Sequence, residues 1–112
     1  MNNSNKFDDS LQSLALFAKA IAHPARLAIL QHLAESPGCV SGDISKTLPL
    51  SRSTVSQHLQ ELKKMGLIHG EISGLNINYC LCGSNIEKYL QQFTLFFNGI
   101  DTQEKSCSFN AR

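Results

Sequence analysis

The sequence predicts a mainly α-helical protein with one small β-hairpin, folded as a single domain. Apolar residues recur at helical spacing over most of the chain, whereas residues 67–82 alternate and are divided by Ser73-Gly74. A length of 112 residues with 42% hydrophobic side chains suffices for one core. The predicted parts are a flexible tail at 1–7, the domain at 8–100 and a second flexible tail at 101–112.

Each predicted helix has a start or stop signal in the sequence. Pro24 suits the first position of the second helix, Ser51 suits the cap of the fourth, and Gly66 suits its end. The predicted helices cover residues 8–22, 24–35, 42–48, 52–65 and, after a break at 83–85, residues 86–100. Two short helices joined by a turn and followed by a hairpin make a winged helix-turn-helix.

The helix over residues 52–65 separates apolar from polar side chains. Val55, Leu59 and Leu62 share one side at steps of 100° per residue. The opposite side carries Ser53, Gln57, Gln60 and Lys64, with Ser56 beside them. Hydroxyls and amides suit base edges, so Gln57 is a candidate for an adenine, and Arg52 and Lys64 for phosphates. An ordinary solvated face is the alternative, but the neighbouring helix and hairpin favour DNA.

The charge of the chain is compatible with that interpretation. A net charge of +1 excludes the basic coat of a histone-like protein, and residues 41–70 carry +2. Modest non-specific affinity and dependence on base contacts are therefore expected. Residues 1–10 lack the apolar core of a signal peptide and no stretch approaches a membrane span, so we expect a cytoplasmic protein without a membrane partner.

Three blocks of sequence resemble a known family. The runs AKAIAHPARLAILQHLAE, CVSGDI and LSRSTVSQHLQELKKMGLIHGEISGLNINYCL, within residues 14–82, are similar to the ArsR family of bacterial repressors. The resemblance implies a homodimeric repressor that leaves its operator when a metal ion, metalloid or oxidant modifies it, and the two-fold symmetry of such a dimer predicts an inverted-repeat operator. It places Ser53, Thr54, Ser56, Gln57 and His58 on the recognition helix, and Ser73 and Gly74 at the wing tip. For His58, however, the helical angle favours packing over base contact.

The usual metal sites of that family are incomplete in this sequence. The family's Cys-x-Cys pair corresponds to Cys39-Val40-Ser41, where the second thiol is missing. The family's zinc site on the last helix needs a histidine, which that helix lacks. A zinc finger or zinc ribbon is also unsupported, because the sequence contains no CxxC pair.

Strand pairing suggests another cysteine site. If the strand at Cys39-Val40 pairs with the outer hairpin strand, Val40 shares a face with Tyr79 and Leu81, and Cys39, Cys80 and Cys82 share the other. Three converging thiols suit arsenite or antimonite. A redox or persulfide sensor, with a Cys39–Cys80 or Cys39–Cys82 disulfide, is the functional alternative. A purely structural interpretation is that these cysteines are small hydrophobic side chains of the sheet. Cys107, in the tail, is interpreted as inert, with a fourth ligand or resolving thiol as alternatives.

The first and last helices carry more apolar surface than one core needs. The predicted dimer contacts are Leu11, Leu14, Tyr89, Phe93, Phe96 and Phe97. An enzyme is not expected, because no Ser/His/Asp order, phosphate loop or HExxH motif is present. The expected function is therefore a DNA-binding repressor that needs no obligatory cofactor and is released by a thiol-directed inducer, with a winged-helix protein-interaction module as a further alternative.

Overall fold

The computed structural model describes residues 6–41 and 43–106, so Cys107 lies outside the described part. Within it, four helices accompany a three-stranded antiparallel sheet and pack against one of its faces, which confirms the predicted mainly α fold with a hairpin. The helices are α1 (Asp9–Ile21), α2 (Pro24–Glu35), α3 (Arg52–Lys64) and α4 (Gly83–Asn98). The strands are β1 (Val40–Ser41), β2 (Ile68–Ser73) and β3 (Asn76–Leu81).

Local hydrogen bonds set the ends of α3 as the sequence predicts. The Ser51 Oγ accepts a hydrogen bond from the Thr54 N–H at 3.3 Å, which satisfies a donor at the start of the helix. At the other end, the Gly66 N–H donates to the Lys63 carbonyl (2.9 Å) and the Leu67 N–H to the Leu62 carbonyl (3.1 Å). Gly66 has a φ of +73°, the left-handed conformation that this helix ending requires.

The prediction of a helix over residues 42–48 is wrong. The described residues 43–48 contain no helix and form a turn at 45–47. Both the backbone N–H and the hydroxyl of Thr47 donate to the Ile44 carbonyl, at 3.0 and 2.9 Å. Pro49 then disfavours a helical conformation at Leu48. A segment this short does not recover the cost of starting a helix. The element before α3 is therefore a turn.

The sheet has the order β1-β3-β2, so β3 is the central strand. Val40 pairs with Tyr79, so these two residues share a face as predicted, and Ser41 pairs with Asn78. On the other side of β3, Ile68 pairs with Leu81 and His69 with Cys80. Because alternate residues of a strand point to opposite faces, Tyr79 faces the core and Cys80 faces away from it.

The core lies between the helices and one face of this sheet. Its most deeply buried side chains are Ile29, Val55, Leu62, Leu67 and Ile68. Burying each of these apolar side chains contributes roughly 1.5–3 kcal/mol to folding. Val55 and Leu62 anchor α3 by its apolar side, and its polar side is consequently held towards solvent.

Within residues 6–41 and 43–106, no single helix is both long and apolar enough to cross a membrane. The α1 and α2 segments meet the length and composition requirements only when taken together, and the chain bends by 87° between them.

Candidate DNA interface and cysteine site

The polar side of α3 is exposed along the helix. The predicted contact residues that lie exposed there are Arg52, Ser53, Ser56, Gln57, Gln60 and Lys64. Arg52 forms an ion pair with Asp43 (3.5 Å), and Lys64 forms one with Glu61 (3.1 Å). Both pairs are on the surface, where such pairs contribute little to stability. Their cations therefore remain available for phosphate oxygens.

Thr54 and His58 differ from the other predicted contact residues on α3. The Thr54 hydroxyl accepts a hydrogen bond from the Ser51 Oγ at 2.9 Å, so it supports the helix start. His58 is only 8% exposed, and its Nδ1 accepts a hydrogen bond from the Arg26 Nε at 3.1 Å. The structure therefore favours the packing role of His58 over a base contact.

Arg26, which the sequence analysis did not identify, connects three helices. Its Nη1 donates to the Ala20 carbonyl near the end of α1 (2.8 Å), and its Nε reaches His58 on α3. The His23 ring, at the start of α2, lies 4.4 Å from the His58 ring between centroids. Burial, followed by the nearby positive charges of His23 and Arg26, lowers the pKa of His58 below its usual range. The neutral His58 ring is thus part of the contact that orients α3.

The wing tip is a turn flanked by exposed apolar side chains. Its tip turns at Gly74, whose φ of +63° is the conformation that favours glycine, next to Ser73. Leu75 beside the tip is fully exposed, and Ile72 is 82% exposed. Residues 65–82 contain no lysine or arginine. The cationic side chains of the candidate DNA interface therefore come from α3.

The sheet register brings Cys39 and Cys80 together. Cys39 directly precedes β1 and lies opposite Cys80 of β3, with a Cα–Cα distance of 4.5 Å. The two residues are joined by a disulfide. This separation lies within the range that disulfides require. Cys39 and Cys80 share the outer face of the sheet, as the sequence analysis expected.

Cys82 does not join this pair in the structure. It lies at the boundary between β3 and α4, where its N–H donates to the Leu67 carbonyl at 2.9 Å. Its Sγ is 3.1 Å from the Nδ1 of His69. Because His69 pairs with Cys80 and shares its outer face, Cys82 lies on that face too, but its thiol contacts His69 and not the Cys39–Cys80 pair.

Glu71, a second residue that the sequence analysis missed, approaches the cysteine pair from β2. Its Oε1 lies 3.7 Å from the Cys39 Sγ and 3.6 Å from the Cys80 Sγ. His69 and Glu71 alternate with the buried Ile68 and with Gly70. That alternation was a signal for this face. Glu71 pairs with Asn78, two residues before Cys80, and only the folded sheet shows that its carboxylate reaches the sulfurs diagonally.

The outward sides of α1 and α4 form an apolar surface. Tyr89 stacks on Phe17 with ring centroids 4.8 Å apart, and Phe93 contacts the same ring edge-on at 6.0 Å. These two predicted dimer residues therefore pack inside the protomer, and Leu14 is half-buried. Leu11, Phe96 and Phe97 remain 40%, 39% and 50% exposed.

The winged helix-turn-helix geometry agrees with comparisons to known proteins. Residues 23–69 match the family described as bacterial regulatory protein, arsR family. The chain is 38% identical over 72 residues to the transcriptional regulator YgaV of Escherichia coli, covering 64% of this chain and 73% of YgaV. It is 32% identical over 92 residues to the transcriptional regulator CmtR of Mycobacterium tuberculosis, covering 82% and 77%.

A solved structure shows the same architecture. It is described as a possible transcriptional regulator for arsenical resistance, and it superimposes with a TM-score of 0.65 at 28% identity. The alignment covers 74% of this chain and 83% of that one. Together these similarities define a DNA-binding transcriptional regulator and not an enzyme, as predicted. The chain belongs to the arsR family of bacterial regulatory proteins.

Proposed function

We propose that this protein is a homodimeric repressor that binds an inverted-repeat operator through α3 and leaves it when the Cys39–Cys80 pair reacts. The observation that carries the proposal is the position of this pair. Cys39 immediately precedes β1, and the chain then runs through the turn at 45–47 into α3. A change in the bonding of β1 to β3 is thus transmitted over a short segment to the start of the recognition helix.

The base-reading role of α3 is supported by its exposed amides and hydroxyls. Gln57 lies in the middle of the exposed side, and a glutamine amide can pair with both the N6 and N7 positions of an adenine. Arg52 and Lys64 lie near the two ends of the same side, where phosphates of a major groove would flank them. Ser73 and Gly74 at the wing tip complete the proposed interface.

The homodimer is supported by the apolar surface of α1 and α4. Every residue of α4 remains at least partly exposed in the described chain, although the helix carries three phenylalanines. Leu11, Phe96 and Phe97 form the exposed part of this surface. A two-fold related copy would cover it, and the same symmetry would present two α3 helices to the two halves of the operator.

Oxidation is the reaction at Cys39 and Cys80 that the geometry favours. Two thiols lose two protons and two electrons to form the disulfide, and a peroxide that accepts them is reduced to water. The direct cross-strand placement of the two residues means that little backbone movement is needed. A coupling of about 1–3 kcal/mol between this bond and DNA would suffice for a usable switch.

Arsenite or antimonite is the second candidate inducer. Once the disulfide is reduced, Cys39 and Cys80, whose Cα atoms are 4.5 Å apart in the bonded form, offer two soft thiolate ligands for a trivalent metalloid. The similarity to a regulator described in connection with arsenical resistance supports this class of inducer. Cys82, which contacts His69 instead, would have to move to provide the third thiolate of the predicted site.

The test is operator binding measured by fluorescence anisotropy on the promoter fragment upstream of the protein's own gene. We expect the reduced protein to bind, and peroxide or arsenite to weaken binding by about 5- to 150-fold. Cys39→Ser and Cys80→Ser should bind DNA and lose the response, whereas Cys82→Ser, the matched control, should keep its response to peroxide. Release that persists in both Cys39→Ser and Cys80→Ser would contradict the proposal, and a monomer at micromolar concentration in sedimentation would contradict the dimer.

A further inference from the structure

We propose that the reduced protein binds a thiophilic divalent cation, of which Zn²⁺ is the probe, between Cys39, Cys80 and Glu71. These residues come from the three strands of the sheet: Cys39 precedes β1, Glu71 belongs to β2, and Cys80 belongs to β3. Their ligand atoms all lie within 4.8 Å of one another. The inference shares the reduced cysteine pair with the proposed function, but it does not depend on release from DNA.

The distances to the carboxylate fit a zinc ion. Zn–S and Zn–O bonds of about 2.3 and 2.1 Å, meeting at a tetrahedral angle, place sulfur and oxygen about 3.6 Å apart. The Glu71 Oε1 lies 3.7 Å from one sulfur and 3.6 Å from the other. The carboxylate is therefore already at the distance that a shared ion requires. Reduction by a thiol reductant releases the sulfurs from each other, so that both can bind the ion.

The donor set selects the class of ion. Two thiolates favour soft and borderline metals, whereas a carboxylate oxygen is a hard ligand that suits a dication better than Cu(I) or a metalloid. When ionised, the three groups carry a charge of about −3 before the ion binds. No lysine or arginine is present in β1, β2 or β3 to offset that charge. A Zn²⁺ ion would hold three protein ligands and one water molecule.

Binding of the cation and formation of the disulfide exclude each other. Each thiol releases one proton when it binds the ion, so the affinity rises with pH. A bound ion occupies the sulfur electron pairs with which the thiolates would attack an oxidant. The ion would also tie β2 to the Cys39–Cys80 pair through Glu71, which the disulfide alone does not do. Strand β2 of the wing would thus supply a ligand, Glu71, to the site.

The test measures metal binding to protein kept reduced by a phosphine, without DNA. Co²⁺ reports thiolate ligation by its charge-transfer absorption, and Zn²⁺ is titrated against it. We expect Cys39→Ser and Cys80→Ser to abolish that absorption, and Glu71→Gln to weaken zinc binding by at least about tenfold. Glu87→Gln, an exposed glutamate of α4, is the matched control and should bind as the unmodified protein does.

Two further measurements keep the test decisive. Glu71→His replaces the carboxylate with another zinc ligand, so it should retain binding even if Glu71→Gln is poorly folded by circular dichroism. Zinc should also slow the loss of free thiols to peroxide in the unmodified protein and less so in Glu71→Gln. Equal zinc affinity in Glu71→Gln and the unmodified protein would overturn the inference. A loss of zinc affinity in Cys82→Ser and His69→Gln as large as that in Glu71→Gln would also overturn it, because the ion would then lie at the Cys82 thiol.

Discussion

The exposed side of α3 carries polar side chains suited to DNA, and the outer face of the sheet carries the cysteine pair and Glu71. The two regions differ in how the chain brings their side chains together. The α3 side chains belong to one helix and lie on one side because of its 3.6-residue repeat. Cys39 directly precedes β1, Glu71 lies in β2 and Cys80 in β3, and only the pairing of these strands brings the three residues together. A helix face is therefore a local property of the sequence, whereas a site on a sheet depends on its register.

The two regions also differ in how their orientation is maintained. α3 is anchored by a fully buried apolar side and by the contact between His58 and Arg26. The outer face of the sheet is held by strand pairing and by the Cys39–Cys80 disulfide, which a reductant can break. Under the proposed function, α3 binds DNA and the outer face of the sheet responds to the inducer.

The largest expected effect comes from removing the anchor of α3. Leu62 is fully buried, so Leu62→Ala leaves a cavity and should lower the free energy of unfolding by about 2–5 kcal/mol. Leu75→Ala at the wing is the control, because this leucine is fully exposed and should change stability little. Urea unfolding followed by circular dichroism measures both. Equal losses would show that the wing is as important to stability as the core.

The next largest effect is the stability that the Cys39–Cys80 disulfide contributes. The disulfide closes a loop with a sequence separation of 41 residues. Restricting the unfolded chain in this way should stabilise the protein by roughly 2–4 kcal/mol. Comparing urea unfolding of the oxidised and reduced forms measures this difference. Cys80→Ser should show no difference between the two conditions, whereas Cys82→Ser should retain it.

A smaller effect is expected at the centre of the proposed DNA face. Gln57→Ala removes the amide that would pair with an adenine, and it should weaken operator binding by about 1–3 kcal/mol. The folded structure should be unchanged because Gln57 is exposed. Gln91→Ala, at an exposed position of α4, serves as the control in the anisotropy titration. Unaltered affinity in Gln57→Ala would remove this residue from the interface.

The smallest effect is a pH dependence at the contact between α2 and α3. Burial and nearby positive charge lower the pKa of His58, so the folded protein favours its neutral ring. This contribution to stability is complete above pH 6.5, the ordinary value, and is lost as the pH falls through the lowered value of the folded state. His58→Gln should flatten the fall in unfolding free energy below pH 6.5. An unchanged slope would contradict this role.

The order of the elements and the polarity of α3 followed from the sequence by itself. The ends of α3 depend on Ser51 and Gly66, and its buried side depends on the spacing of Val55, Leu59 and Leu62. These are local properties, so periodicity and capping rules predicted them. The turn at 45–47 was mistaken for a helix, because the Thr47 hydrogen bonds and Pro49 outweighed the local pattern in that short segment.

Only the tertiary structure decided which side chains contact each predicted residue. The sequence predicted that Cys39 and Cys80 share a face, because Val40 and Tyr79 had to face the core. It did not place Glu71 beside them or His69 beside Cys82, since these contacts depend on the pairing of β2 with β3. Spacing along the chain determines which side a residue faces, whereas the approach of distant segments determines what it meets there.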